Sequence, residues 1–190
     1  VIAIGESDTS LYIYENNKLT FIRRFAFSLE KLTQSLMKTL ISHQDKIELS
    51  YKEAESIRDV FGIPQDPNMI LRNNINANQI ISLMRPLLEG LVRELKISLE
   101  YLTSNFKQER PHMLYISDKG ANFKNLDKYL SNELNINVDK LSLPNCINKT
   151  DNINAKEFEE DKNCIIDILG LILPDSQTIN LVPKEIKAQR

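Results

Sequence analysis

Apolar residues alternate with polar breaks along the amino-terminal part of the chain, in a pattern typical of β-strands. Residues 2–4, 11–14 and 19–27 are rich in β-branched and aromatic side chains. The small polar run at 5–10 and the asparagine-containing break at 15–18 separate these segments, and both compositions favour tight turns. The pattern therefore predicts a three-stranded meander.

The next two segments carry helix signals. Ser28 is a good N-cap, because its hydroxyl can accept hydrogen bonds from the free amides of a first helical turn. The apolar residues after it keep helical spacing as far as Leu40: Leu29, Leu32, Leu36, Met37 and Leu40. Ser50 and Glu53 form a capping-box pattern, and the Gly-Ile-Pro sequence at 62–64 should end the short helix that they start.

The strongest helical pattern extends from residue 78 to residue 106, after a polar segment at 64–78 that is predicted to be a surface loop. Pro86 lacks an amide donor, so this helix is expected to kink or restart there. The pattern predicts a central buried helix, because its apolar residues share one face: Ile80, Met84, Leu87, Leu88, Leu91, Leu95, Leu99, Leu102 and Phe106.

The pattern then returns to a strand. Residues 113–116 form a short apolar run, and a polar turn, a helical stripe and an extended segment at 135–138 follow it. Together with the meander, this order predicts an α/β fold in which helices cover a mixed sheet. Residues 144–163 are predicted to be loop or weak helix, and the apolar residues 164–171 a buried helix.

Composition narrows the function classes. A net charge of −2 and a pI near 5.8 give no basic surface of the kind that binds nucleic acid. Cys146 and Cys164 are too few for a disulfide scaffold and lack metal-binding spacing, which fits a reducing cytoplasm. His43 and His112 have no partner at metal-ligand spacing, so no metal site is predicted.

Two segments resemble the nucleotide-binding motifs of actin-like ATPases. The first is similar to the second phosphate hairpin, D-[IV]-G-x-x-x-[ST], through Gly5, Ser7, Thr9 and Ser10. The second is similar to the adenosine motif, L-T-G-G-G-A-x-L-x-G-L, through Ser117, Gly120, Ala121 and Asn122. Residues 50–64 and 83–95 between them resemble matching stretches of PilM- and FtsA-type proteins.

The order and spacing of these segments identify residues 1–172 as similar to the second lobe of the PilM family of type IV pilus assembly proteins. The cytoplasmic domains of GspL-type secretion proteins share the resemblance. It implies an actin-like, ribonuclease H-like lobe with a mixed sheet flanked by helices, and a smaller inserted subdomain at about residues 41–78. The chain starts without methionine inside a strand, so we expect the first lobe to precede Val1.

The motifs are eroded where nucleotide chemistry needs them. Ala3 stands at the position of the expected aspartate, and Glu6 stands where a small residue is usual and would repel phosphate. Asp118 and Lys119 replace two glycines that let a nucleotide lie against bare backbone. We expect no efficient ATPase activity and no bound cofactor. ATP and Mg²⁺ binding by the full-length protein, with Lys119 on phosphate, is the alternative.

The carboxyl-terminal residues 173–190 resemble the I-N-L-L-P peptide at the cytoplasmic start of PilN-type proteins, through Ile179, Asn180, Leu181 and Pro183. Such a peptide could bind as an extended segment in a groove, of this chain or of a neighbour. The basic residues Lys184, Lys187 and Arg190 lead us to expect a membrane helix soon after the chain ends. An ordinary disordered terminus is the alternative.

The resemblance implies a cytoplasmic scaffold at the inner-membrane platform of a type IV pilus or type II secretion machine. The implied partners are PilN-, PilO- or GspM-like platform proteins and a motor ATPase, and a homodimer is left open. Two alternatives remain at this stage: an ATP-binding switch that closes around nucleotide, and an FtsA-like polymerising protein.

Overall fold

A computed structural model of the chain describes residues 1–38, 40–42, 45–71, 75–106, 110–141 and 158. The predictions for residues 144–163, 164–171 and 173–190 fall almost wholly outside that part. The described residues form seven strands and four helices, in the order β1 (Ile2–Ile4), β2 (Thr9–Glu15), β3 (Lys18–Phe25), α1 (Leu29–Leu36), β4 (Leu40–Ser42), β5 (Asp45–Ile47), α2 (Tyr51–Phe61), α3 (Ala77–Phe106), β6 (Met113–Ser117), α4 (Leu126–Leu134) and β7 (Asn137–Lys140).

A five-stranded mixed sheet organises residues 1–141, with the strand order β3-β2-β1-β6-β7. The first three strands are the predicted antiparallel meander, in which Ile2 lies opposite Leu11. On its other side β1 pairs parallel to β6, and Ile2 lies opposite Ile116. Strand β7 pairs parallel to β6. The mixed sheet predicted from the sequence is therefore confirmed.

Helix α3 provides the central apolar face of the core. Most of its predicted stripe is buried and Leu87 is partly buried, while the side chain of Phe106 is outside the described part; the side chains at most 8% exposed are Ile80, Met84, Leu88, Leu91, Leu95, Leu99 and Leu102. The helix is continuous through Pro86, so it does not restart there as the sequence allowed. A proline within a helix removes one i→i−4 hydrogen bond, and the long buried stripe compensates for that loss.

Helix α1 begins as predicted and ends early. The amide of Lys31 donates to the Ser28 hydroxyl at 3.3 Å, which confirms the N-cap. The helix ends at Leu36, and Leu40 opens strand β4, which pairs antiparallel with β5. Extending the helix to Leu40 was therefore wrong. The backbone of β4 instead forms hydrogen bonds with β5, as in any antiparallel hairpin. The apolar spacing before Leu40 contains no information about the residues of β5.

Helix α2 starts with the predicted capping box. The Glu53 carboxylate accepts from the Ser50 amide at 2.9 Å, and the Glu53 amide donates back to the Ser50 hydroxyl. The Ser50 hydroxyl also donates to the Glu53 carboxylate at 2.6 Å, and this hydrogen bond, followed by the one from the Ser50 amide, lowers the pKa of Glu53. The segment after α2 is not a simple surface loop, because Leu71 and Ile75 are buried in the core. The subdomain division at about 41–78 stays a prediction.

Candidate functional site

The sheet brings the two eroded motifs together. Strands β1 and β6 are parallel neighbours, so the segments that follow them lie at the same edge of the sheet. The first is the turn between β1 and β2, and the second is a 3₁₀ helix at Asp118–Asn122. A Cβ placed on Gly5 would lie 3.0 Å from Oδ2 of Asp118. The two turns are therefore in contact.

The first turn is anchored on the amino terminus of α1. The Gly5 amide donates to the Asp8 carbonyl at 2.9 Å and closes the turn. The carbonyls of Gly5 and Glu6 accept from the amides of Leu29 and Glu30, at 3.2 and 2.9 Å. Amides of a first helical turn can bind anions, but these two already bond to the chain's own carbonyls.

The remaining residues of the first motif divide between surface and core. Ser7 is exposed, whereas Thr9 and Ser10 are buried in β2. Thr9 is fully buried, and among the described residues its hydroxyl has no hydrogen-bond partner. A buried hydroxyl without a partner loses its hydration and gains nothing in return.

We predict that Thr9→Val raises the free energy of unfolding by about 1 kcal/mol, because valine fills the same space without the hydroxyl. Thermal or urea unfolding measures the change. Thr33→Val is the matched control. Thr33 is equally buried, but its hydroxyl donates to the Leu29 carbonyl and accepts from Arg58, so its loss should destabilise the chain. Equal effects of the two substitutions would contradict the prediction.

In the second motif, one residue that replaces a glycine has a backbone conformation typical of glycine. Asp118 has a φ of +61°, a left-handed conformation that favours glycine and that Asp tolerates. Its carboxylate accepts from the Lys119 amide at 2.8 Å. A Cβ on Gly120 would lie 2.4 Å from the Cβ of Ile4, so this glycine lets the turn pack on β1. Packing alone therefore accounts for Gly120.

Two of the other three adenosine-motif residues are buried. Ser117 ends β6 and is 1% exposed, and its side chain makes no capping hydrogen bond to the 3₁₀ helix. Ala121 is buried against the core, and Asn122 is exposed. Among these side chains only that of Asn122 is open to solvent.

A buried arginine on α2 holds the first turn from the other side. Arg58 is 4% exposed, and its Nη1 lies 2.8 Å from Oε1 of Glu6. The same nitrogen donates to the Thr33 hydroxyl and to the Leu29 carbonyl of α1. The other oxygen of Glu6 lies 3.5 Å from Nζ of Lys119, in the second motif. Glu6 therefore bridges α2 and both turns.

The charge around the two turns is negative overall. Burial by itself lowers the pKa of the Arg58 guanidinium, but hydrogen bonds to Asp59 and Glu6 outweigh it and raise that pKa, so Arg58 stays charged. Arg58 and Lys119 are outnumbered by the nearby carboxylates, which are Glu6, Asp8, Glu55, Asp59 and Asp118. A nucleotide phosphate arriving here would meet like charge.

Metal-ligating side chains are not clustered among the described residues. Within those ranges, no group of three or more His, Cys, Asp or Glu side chains is arranged to bind a metal ion. The Glu6 carboxylate is paired with Arg58 and Lys119, and the Asp118 carboxylate accepts from the Lys119 amide.

Sequence reasoning missed Arg58. It faces the core from α2 beside Ala54 and Ile57, both buried. An arginine that interrupts the apolar stripe of a short helix is a detectable signal, because such a side chain needs carboxylate or carbonyl partners when buried. Two of its carboxylate partners, Glu55 and Asp59, are close in sequence, but Glu6 lies 52 positions earlier in the chain and no local pattern identifies it.

The end of α2 reaches the segment that follows the second motif. The Ile63 amide donates to the Lys124 carbonyl at 3.0 Å, and the Asn125 side chain donates to the Ile63 carbonyl at 2.8 Å. Lys124 Nζ donates to the Val60 carbonyl at 2.6 Å. Helix α2 thus contacts the first turn through Arg58 in its last turn, and the segment after it contacts the second motif region.

A large apolar groove lies away from the two turns. It has a volume of about 600 Å³ and opens at the amino-terminal ends of β1 and β6, opposite the two turns. Its walls are mainly apolar, and they include Leu11, Leu99, Leu114 and Ile136. None of the predicted motif residues lines this groove.

Comparison with known proteins decides the family. The family model of the type IV pilus assembly protein PilM matches residues 1–175. The chain belongs to the PilM family. Among curated protein sequences, none matches this chain.

Solved structures show the fold of this PilM-family chain. A PilM–PilN type IV pilus biogenesis complex aligns with a TM-score of 0.66 at 21% identity, over 92% of this chain and 45% of that one. MreB 5 of Spiroplasma citri bound to AMPPNP aligns with a TM-score of 0.63 at 16% identity, over 100% and 54%. A non-polymerising MamK mutant bound to AMPPNP gives a TM-score of 0.54 at 10% identity, over 75% and 49%.

These structures confirm the actin-like fold that the motifs predicted. The chain spans less than half the length of the PilM chain that it matches. The predicted peptide residues Ile179, Asn180, Leu181 and Pro183 lie outside the described residues. In the part of the chain that the structure describes, no helix is both long and apolar enough to cross a bilayer.

Proposed function

We propose that this PilM-family chain is part of a cytoplasmic scaffold for the inner-membrane platform of a type IV pilus and that its nucleotide site is degenerate. One observation carries the second half of the proposal. Glu6 occupies the turn that the resemblance assigns to phosphate, and Arg58 and Lys119 hold its carboxylate there. Three side chains of the chain itself are thus paired with one another at this turn.

The proposed partner is a PilN-like membrane protein. The support is the likeness to the PilM of a PilM–PilN complex, together with the PilN-like sequence at residues 173–190. PilO-like or GspM-like platform proteins, a motor ATPase and a second copy of the chain are further proposed partners. The same scaffold could instead serve the inner-membrane platform of a type II secretion machine.

An ATP-binding switch is the second candidate. It is favoured by the left-handed backbone of Asp118, which keeps the shape of a glycine turn. Two structures of the same fold, MreB 5 and MamK, hold AMPPNP. In that case the complete protein would bind nucleotide between two lobes, and the two would close around it.

Calorimetric titration of Mg-ATP into the complete gene product separates the two candidates. We expect no saturable heat, because side chains replace the glycines and the surrounding charge is negative. The matched control restores the motifs with Ala3→Asp, Glu6→Ser, Asp118→Gly and Lys119→Gly. Gained binding in this variant would show that the assay detects a working site. Micromolar, Mg-dependent binding by the unchanged protein would overturn the degenerate site.

The scaffold half of the proposal has its own measurement. The complete gene product should co-purify with a PilN-type protein when the two are expressed together, without added nucleotide. A failure of the pair to associate would count against the scaffold, whatever the outcome of the ATP titration. Sedimentation of nucleotide-dependent polymers would instead favour an FtsA-like protein.

A further inference from the structure

Strand β3 forms one edge of the five-stranded sheet. It is eight residues long, and no described strand pairs with its outer side. Leu19 and Ile22 are 47% and 55% exposed, which is high for large apolar residues in a strand. Long edge strands with exposed apolar residues are sites at which another chain can add a strand.

The hydrogen-bond pattern shows which backbone groups face outwards. The Tyr12 amide donates to the Val1 carbonyl at 2.8 Å, and the Val1 amino group donates to the Tyr12 carbonyl at 2.7 Å. Tyr12 therefore directs both backbone groups to β1 and none to Ile22, its partner on β3. Tyr12 and Ile22 are therefore a non-hydrogen-bonded pair of the antiparallel ladder, in which the amide and carbonyl of Ile22 point away from β2. Ile22 and, two residues on, Arg24 thus present these groups at the outer edge.

One face beside this edge is apolar. The rings of Phe21 on β3 and Tyr101 on α3 lie 5.9 Å apart between centroids. Tyr101 is 45% exposed, and Ile97, one helical turn before it, is 44% exposed. Side chains of an added strand that point towards α3 would contact these apolar groups, because alternate residues of a strand share one face.

The charges at the edge select the occupant. Arg23 is already paired with Glu94 and bonded to Ser98 of α3. Arg24 is exposed, and no carboxylate among the described residues pairs with it. A second copy of β3 offers Arg24 no carboxylate in any register, because Lys18–Phe25 contains none, and a register that set Arg24 opposite Lys18 would be unfavourable. A carboxylate at that position would be favourable.

We propose that the outer edge of β3 binds an extended segment of a partner protein as a sixth strand of the sheet. This segment carries apolar side chains at alternate positions and a carboxylate that faces Arg24. The amide and carbonyl of Ile22 and Arg24 supply the main-chain hydrogen bonds, and Phe21, Ile97 and Tyr101 supply the apolar contact. The proposal stands apart from the degenerate nucleotide site and from the PilN-like peptide.

The test uses a short fluorescein-labelled peptide that alternates valine with glutamate, titrated into the 190-residue chain. Fluorescence anisotropy should show saturable binding, about tenfold tighter than for the same peptide with lysine in place of glutamate. Hydrogen exchange should slow at the amides of Ile22 and Arg24 in the complex. Absence of binding, or slowed exchange elsewhere only, would overturn the proposal.

Two variants separate edge pairing from other binding. Ile22→Pro removes an outward amide and leaves the β2 ladder intact, so binding should weaken at least about tenfold. Arg24→Glu should reverse the preference between the two peptides, and Lys128→Glu on the exposed side of α4 should leave it unchanged. Circular dichroism checks that each variant is folded. Unchanged preference in Arg24→Glu contradicts the charge selection, and self-association that Ile22→Pro abolishes would assign the edge to a second copy.

Discussion

Arg58→Ala is expected to lower the free energy of unfolding by about 2 to 3 kcal/mol. The guanidinium is 4% exposed and bonds to Glu6, to Thr33 and to the Leu29 carbonyl, so its removal breaks three hydrogen bonds in a partly buried network. Water reaches the partly exposed Glu6, and this places the loss below that of a fully buried pair. Urea unfolding of the chain and of the variant measures it.

Arg85→Ala is the matched control, since Arg85 lies exposed on α3 and should change the free energy of unfolding by less than about 0.5 kcal/mol. Arg58→Lys keeps the charge but cannot bond to three partners in one plane, so it should fall between the two. A loss in Arg58→Ala no larger than in Arg85→Ala would show that the network around Glu6 contributes little to stability.

Gly62→Ala is expected to destabilise the chain by about 3 kcal/mol. Gly62 has φ +59° and ψ −131°, a conformation that side chains other than hydrogen rarely adopt. A Cβ there would lie 2.3 Å from the Lys124 carbonyl oxygen, which is backbone and cannot move aside cheaply. The same carbonyl accepts from the Ile63 amide, so moving it would also weaken that contact.

Gly90→Ala serves as the control for the glycine substitution itself. Gly90 lies within α3, and a Cβ there would have no neighbouring atom within 4 Å. Alanine should therefore stabilise the helix, by about 1 kcal/mol. Thermal unfolding should move in opposite directions for the two variants. A shift in the same direction would mean that the contact between α2 and Lys124 is not formed in solution.

The retained and replaced glycines of the second motif have different structural roles. Gly120 is explained by its contact with Ile4 and needs no nucleotide. Asp118 keeps the left-handed backbone of a glycine turn while placing a carboxylate beside Gly5. The backbone of the motif can thus be kept by packing alone, and the fold does not by itself argue for nucleotide binding.

The sequence predicted only part of the role of Glu6. It identified Glu6 as unfavourable for phosphate binding because of its negative charge. The structure adds that its carboxylate bridges Arg58 and Lys119. Glu6 therefore joins helix α2 to the turns as well as carrying a repelling charge.

The sequence by itself determined the elements whose signals are local. The meander, the capping box at Ser50 and Glu53 and the buried stripe of α3 all follow from spacings of two, three or four residues. The order of the motifs along the sequence was also enough to recognise the family, and with it the fold, without knowledge of any side-chain contact. These features are encoded by neighbours along the chain.

Only the tertiary structure decided what depends on distant residues. It ended α1 before Leu40, buried Leu71 and Ile75, and placed Arg58 against Glu6 across 52 positions. The parallel pairing of β1 with β6 brings together turns that are more than 100 residues apart in the sequence. Contacts between residues so far apart in the sequence form only when the whole core packs, so a local sequence pattern does not predict them.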